Sequence, residues 1–249
     1  MDSTKESEML ERLRKHLANN TTDLAAYALK VPAEHYVSDE QFTQEVAKLF
    51  KQRPLIVALT PHIPNEGDYL THEALDTSLI LVRDRDGAAR AYVNACRHRG
   101  ARLTDGRGTK ASFSCPFHAW NWGLDGRIIA RPNSHDGFAC TGAMYDQLLE
   151  VPCHETAGLI FVLLEGEDIE AKVSEMMGPA LSDIANYDIA NTEYIDSRIT
   201  ELACNYKFFL DGFAETYHIP PLHKETISPF YYANSTLIEQ MADVVHLVS

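Results

Sequence analysis

The sequence predicts an α+β chain in three parts: a helical segment over 1–54, an all-β domain over 55–165, and the start of a mixed α+β domain over 166–249. Three observations lead there. Apolar residues recur at helical spacing ahead of Pro54; short β-rich runs separated by turn signals follow it; helical and strand-like patterns then alternate after Glu165.

In the first part, residues 8–17 read as a helix with Met9, Leu10, Leu13 and Leu17 on one face. Ser38 is the N-cap of a second helix, which carries Phe42, Val46 and Phe50 along one side and ends at Arg53-Pro54. In the second part, strands are expected at 55–59, 78–83, 89–94 and 158–164. Asp84-Arg85-Asp86-Gly87 and Asp125-Gly126 are hairpin turns. In the third, helices are expected at 169–177 and 178–184 and a strand at 194–205. A helix at 206–217 carries Phe209, Leu210, Phe213 and Tyr217 at helical spacing until Pro220-Pro221 stop it. A last strand is expected at 243–248. An unpaired apolar strand at a terminus is an aggregation hazard, so the end at Ser249 reads as a cut through a longer protein.

The 249 residues carry 36 Asp and Glu against 22 Lys and Arg, a formal charge of −14. Such a chain repels phosphate backbones, so nucleic acid is not an expected partner, while a basic electron-transfer partner is compatible. The start lacks a signal peptide, and the longest apolar run, 159–164, is far short of a bilayer span; a cytoplasmic protein without membrane contact is expected. Five cysteines at irregular spacing argue against a disulfide framework.

Chemistry concentrates in two places. Cys96-Arg97-His98 and Cys115-Pro116-Phe117-His118 form two mixed pairs with 16 residues between them. Two chemistries suit two Cys and two His: a tetrahedral zinc, or a [2Fe–2S] cluster with thiolates on one iron and imidazoles on the other. Zinc fingers group Cys with Cys and His with His. One Cys and one His per loop suits a cluster to which each loop gives one ligand per iron. Trp120 and Trp122 are expected to cover such a cluster from water, and backbone N–H groups around Gly100 and Gly123 are candidate donors to it. The second place is Glu215-Thr216-Tyr217-His218, then His223 after the proline pair. Two imidazoles there can supply two legs of a 2-His-1-carboxylate iron site. Alone, this spacing also fits polar residues closing a helix end.

Within N-A-C-R-H-R-G-A-R-L and C-P-F-H-A-W-N-W-G-L-D-G, the first motif resembles the Rieske domain of ring-hydroxylating oxygenase α subunits. Asn205-Tyr206-Lys207 followed by an acidic residue and Y-H-x4-H resembles the catalytic domain of the same family. The resemblance implies an all-β Rieske domain set before a helix-grip-like α+β domain. It places Cys96 and Cys115 on the buried iron, His98 and His118 on the outer iron, and His218 and His223 on a mononuclear Fe(II). Glu215 falls where the family usually has an Asp that bridges to the neighbouring subunit's cluster. The third iron ligand is expected beyond Ser249; Glu225, Glu239 and Asp243 do not match its context. The implied activity is O2-dependent hydroxylation or demethylation of an organic substrate, with aromatic compounds among the candidates. NAD(P)H electrons arrive through a reductase and sometimes a ferredoxin, and the implied assembly is a homotrimer. Gly212, where aromatic dioxygenases often have Asn, weakens the arene reading. The competing reading is a Rieske electron carrier without oxygenase activity. Cys140, Cys153 and Cys204 read as small core residues, and His135, His154 and His246 as structural.

Overall fold

The run Ser78-Leu79-Ile80-Leu81-Val82-Arg83 explains the centre of the β-rich part. In the computed structural model, which describes residues 3–133, 145–232 and 235–248, it forms strand β3 (Thr77–Arg83). β3 is the middle of a five-stranded antiparallel sheet. Beside it lie β2 (Asp68–Ala74) and β4 (Ala89–Val93), and outside these β5 (Arg107–Thr109) and β9 (Glu150–Val151). Side chains alternate across a strand, so Ile80 and Val82 enter one core while Leu79 and Leu81 enter another. All four are fully buried, each contributing about 2 kcal/mol of apolar transfer. The first core holds Tyr92, Phe113, Trp122, Cys96 and Cys115. The second packs against a three-stranded sheet of β1 (Leu55–Leu59), β11 (Leu159–Val162) and β10 (Cys153–Thr156). A small sheet of β6 (Phe113–Ser114), β7 (Asn121–Trp122) and β8 (Ile128–Ala130) carries the second Cys/His loop.

Arg83 joins the two larger sheets. It is 6% exposed, donates to Ile63 O at 2.9 Å, and forms a two-point pair with Glu155 of β10. Thr60 Oγ1 donates to the same carboxylate at 2.6 Å.

The chain divides into two compact units. The β-rich unit is Ala47–Ser174 with Tyr187–Ile195. The mixed unit gathers Met1–Val46, Glu175–Asn186 and Asp196–Ser249, so both ends of the chain share one body. In the mixed unit, α1 (Ser3–Asn19) buries Met9, and its Arg12 donates to Glu239 and Asp23 at 2.9 and 2.8 Å. Next come a single turn α2 (Glu34–Val37) and α3 (Asp39–Glu45), where the Ser38 hydroxyl accepts from Gln41 N. Beyond Glu45 the predicted helix continues only as a π-helical stretch, Val46–Lys51. In chain order, α4 (Ile169–Met177), α5 (Ala180–Ala185), α6 (Tyr206–Phe213) and α7 (Ile219–Leu222) follow.

Four sequence expectations fail here. Residues 194–205 form no strand: their alternation has nothing to bury, and Ile195 and Ile199 are 91% and 92% exposed. The helix from Tyr206 stops at Phe213 instead of Tyr217. The final strand is not unpaired, because β13 (Val244–Val248) forms a hairpin with β12 (Leu237–Met241). Cys204 is exposed, not a core residue; Cys153 is partly buried. Cys140, His135 and the His246 side chain lie outside the described residues. Among the described residues, no helix is long and apolar enough to cross a membrane.

Candidate functional site

Two loops of the β-rich unit are built alike. Cys96 N donates to Ala101 O and Gly100 N to Cys96 O, both at 2.8 Å. Cys115 N donates to Trp120 O at 2.8 Å and Ala119 N to Cys115 O at 2.9 Å. Each cysteine thus opens a loop closed on itself four and five residues later. Each loop needs a left-handed residue at the fourth step, Gly100 at φ 73° and Ala119 at φ 56°.

The loops set their side chains in matched pairs. Cys96 and Cys115 are 2% and 4% exposed, and their thiols lie within hydrogen-bonding reach of each other. The His98 and His118 rings stand 4.6 Å apart between centroids, on the outer side, with His118 exposed. Burial pushes the Cys96 thiol up, and the His98 backbone N–H and Trp122 indole favour its thiolate. Burial pushes His98 down, helped by His118 and Arg99. Trp120 stacks on His98 at 4.7 Å and 5°. The buried Trp122 indole N–H lacks a conventional acceptor and lies on the Cys96 sulfur side. Gly100 and Gly123, expected as donors to a cluster, are committed elsewhere: their N–H groups bind Cys96 O and Arg127 O. Among the described residues, no three His, Cys, Asp or Glu side chains close on one point as a single ion requires. Two thiols on one side and two imidazoles on the other fit a two-iron cluster better than one zinc.

Sequence reasoning missed Asn94. It is 4% exposed, donates to Thr104 O at 2.8 Å and accepts from Leu103 N at 3.0 Å. It pins the chain leaving the first loop to the strand that enters it. Its position two residues before Cys96 was the available signal.

In the mixed unit, Asn205 caps α6 by accepting from Lys207 N at 3.0 Å. After α6, the Glu215 carboxylate takes His218 N at 3.0 Å and faces His218 Nδ1 at 2.5 Å. The last helical bond is from Ala214 N to Leu210 O, and the Glu215 side chain takes the His218 amide beyond it. Burial would raise the Glu215 carboxyl, but the His218 contacts outweigh it and hold it below the ordinary glutamate value. Pro220 and Pro221 do not break a helix here; they occupy the first turn of α7, where no N–H is needed. That turn brings His223 back, with its ring 5.4 Å from that of His218 and at 71° to it. Both rings line a cleft of about 820 Å³ walled also by Phe208, Phe213, Tyr231 and Cys204. Of the local carboxylates, Glu239 is engaged by Arg12 and does not join them.

Comparison with known proteins agrees with both geometries. Residues 54–155 match the Rieske [2Fe-2S] domain, and residues 184–243 match the ring hydroxylating alpha subunit catalytic domain. The chain therefore carries a Rieske domain ahead of part of a ring-hydroxylating alpha-subunit catalytic domain. Rieske domains of this family bind a [2Fe–2S] cluster, and the catalytic domains bind a mononuclear iron.

Among curated relatives of this Rieske chain is the carnitine monooxygenase oxygenase subunit of Escherichia coli K12. It is 30% identical over 199 residues, covering 79% of this chain and 52% of the relative. The glycine betaine monooxygenase oxygenase subunit of Chromohalobacter salexigens is 31% identical over 200 residues, covering 80% and 44%. Putrescine 2-hydroxylase of Ralstonia nicotianae is 27% identical over 200 residues, covering 78% and 49%. The chain spans about half the length of the curated relatives it matches. A crystal structure of a quaternary ammonium Rieske monooxygenase with L-carnitine shares the fold: TM-score 0.79, 22% identity, 87% of this chain and 61% of that one. Naphthalene 1,2-dioxygenase from Rhodococcus superposes with TM-score 0.68 at 22% identity, over 91% of this chain and 51% of that one.

Proposed function

We propose that this chain is the front half of the oxygenase component of a Rieske monooxygenase. Residues 55–165 form its cluster domain and 166–249 the start of its catalytic domain, which the 1–54 segment serves. Cys96 and Cys115 hold the buried iron, and His98 and His118 the outer one. His218 and His223 are two ligands of the mononuclear iron, completed by a carboxylate that Glu225, Glu239 and Asp243 do not provide. The observation that carries the reading is the sorting of ligands: two buried thiols together, two outer imidazoles 4.6 Å apart. When bound, the cluster supplies electrons singly and the mononuclear iron activates O2.

The chain's own residues do the rest. Burial keeps the thiol side dry, while the exposed His118 edge offers the shortest route in or out for an electron. Glu215 accepts from His218 Nδ1–H, which fixes the tautomer and leaves Nε2 for a metal. In a homotrimer, Glu215 is then the carboxylate that meets a neighbouring subunit's outer imidazole. A reductase, with or without a ferredoxin, supplies the NAD(P)H electrons.

The substrate is a quaternary ammonium compound or a related amine. Relatives at 27–31% identity are named for carnitine, glycine betaine and putrescine. Phe208, Phe213 and Tyr231, which wall the cleft with His218 and His223, suit a cation through their ring faces. Gly212 and these relatives leave the aromatic reading with less support. The test is O2 uptake by the full-length protein with its reductase. Carnitine, glycine betaine or putrescine should stimulate it, and naphthalene should not; stimulation by naphthalene alone overturns the substrate reading.

The competing reading is a Rieske electron carrier without oxygenase activity. Iron analysis separates the two: an oxygenase holds about three irons per chain and a carrier about two. A colourless, zinc-containing protein overturns both.

A further inference from the structure

The helix that delivers Glu215 and His218 has no buried residue of its own. In α6, Phe208, Phe209, Leu210 and Phe213 are all exposed. Polar ties to the N-terminal segment hold it near both ends. Glu45, the last residue of α3, is the main one. Its carboxylate is 11% exposed and accepts from Lys207 Nζ at 2.6 Å, Tyr206 Oη at 3.1 Å and Gln41 Nε2 at 2.8 Å. Tyr206 and Lys207 are the first two residues of α6. Burial and Glu45 push the Tyr206 phenol up to about 12, so it remains a donor. Near the other end, the Tyr36 hydroxyl donates to Asp211 at 2.6 Å.

A helix is stiff along its axis, so a rotation at its first turn reappears at its last. The residues that follow α6 are the ones that must face His223. We propose that Glu45 is a positioning residue for the mononuclear iron site: its hold on Lys207 and Tyr206 sets the rotation of α6, and with it the approach of His218 to His223. The proposal rests on the assignment of His218 and His223 as iron ligands. A stabilising ion pair with no link to metal is the alternative that the test must exclude.

Co(II) is the probe, titrated into the cluster-loaded full-length protein by equilibrium dialysis, with His218→Ala defining the site of interest. Glu45→Gln should weaken His218-dependent Co(II) binding roughly tenfold, the scale of a lost partner behind a metal ligand. Cluster absorption should not change. Lys207→Met, which removes the donor instead, should show the same loss. The swapped pair Glu45→Lys/Lys207→Glu should recover most of the affinity. A lowered melting point with Co(II) affinity kept within twofold makes the pair structural only and overturns the proposal. So does an equal loss in the His218→Ala background. If the unmodified full-length protein shows no His218-dependent Co(II) site, the iron-ligand assignment fails and the positioning role fails with it. If that site is present and neither Glu45→Gln nor Lys207→Met affects it, the positioning role alone fails.

Discussion

Gly100 and Ala119 hold the same backbone conformation at the same step of two loops, φ 73° and φ 56°. Only glycine enters that region without a steric cost. Ala119 therefore carries strain that Gly100 does not. Ala119→Gly should leave stability unchanged or raise it by up to about 1 kcal/mol, because relief of strain offsets the extra freedom of the unfolded chain. A Cβ at Gly100 meets nothing within 4 Å, so Gly100→Ala should cost only the backbone term, about 1 kcal/mol. Urea unfolding followed by cluster absorbance reads both; equal effects in the two loops would contradict the strain argument.

The Arg83–Glu155 pair predicts an acid limit for the β-rich unit. Burial alone would raise Glu155, but the Arg83 guanidinium and Thr60 hydroxyl hold it below its ordinary value of 4.5. A depressed carboxyl stabilises the fold above the unfolded pKa and stops doing so as pH falls through the folded one. Stability should thus be flat above pH 4.5 and decline below it. Glu155→Gln should remove this part of the decline and cost about 2 kcal/mol at neutral pH, since Arg83 keeps a buried charge with a weaker partner. Urea midpoints between pH 3 and 7 test it; an unchanged acid slope in the variant would count against the pair.

The thiols should separate by reactivity. Cys204 is exposed, whereas burial pushes Cys153 up to about 12. At pH 8 roughly one Cys153 in 10⁴ is then a thiolate. Iodoacetamide should label Cys204 first and leave Cys153 unmodified until the chain unfolds, as peptide mass spectrometry would show. Comparable rates at both would refute this.

Loss of one outer imidazole should be distinguishable from loss of an ordinary histidine. His118→Ala should abolish the visible absorption of the reconstituted protein. His62→Ala, whose ring packs on Tyr194 at 5.0 Å, should retain it. Retention of full iron and sulfide by His118→Ala would remove His118 from the ligand set.

What could be read in the sequence was what neighbouring residues settle between themselves. Ser38 caps its helix by accepting from the amide three residues on, and the Cys/His loops close within five residues, so spacing carried both. β3 announced itself through four consecutive apolar residues. β2 did not, because Thr71, His72 and Glu73 break its pattern, although Tyr69 and Ala74 are buried. Apolar spacing over 206–217 does not show that α6 ends at Phe213, with the Glu215 side chain taking the His218 amide beyond it. Partners far apart in the chain were beyond reach. Nothing in Glu45 or Lys207 reveals that they meet across 162 positions, nor does Arg107 show that it will stack on Tyr194 at 3.9 Å.

β3 also sets how the β-rich unit comes apart. Its odd residues belong to one core and its even residues to the other. Neither core can open while the other keeps this strand in place. The unit should therefore melt in one calorimetric transition, and the amides of Leu79 to Val82 should exchange with deuterium only through global unfolding. The first ligand loop leaves β4, the strand paired along its length with β3, so it is tied to the part of the unit that opens last.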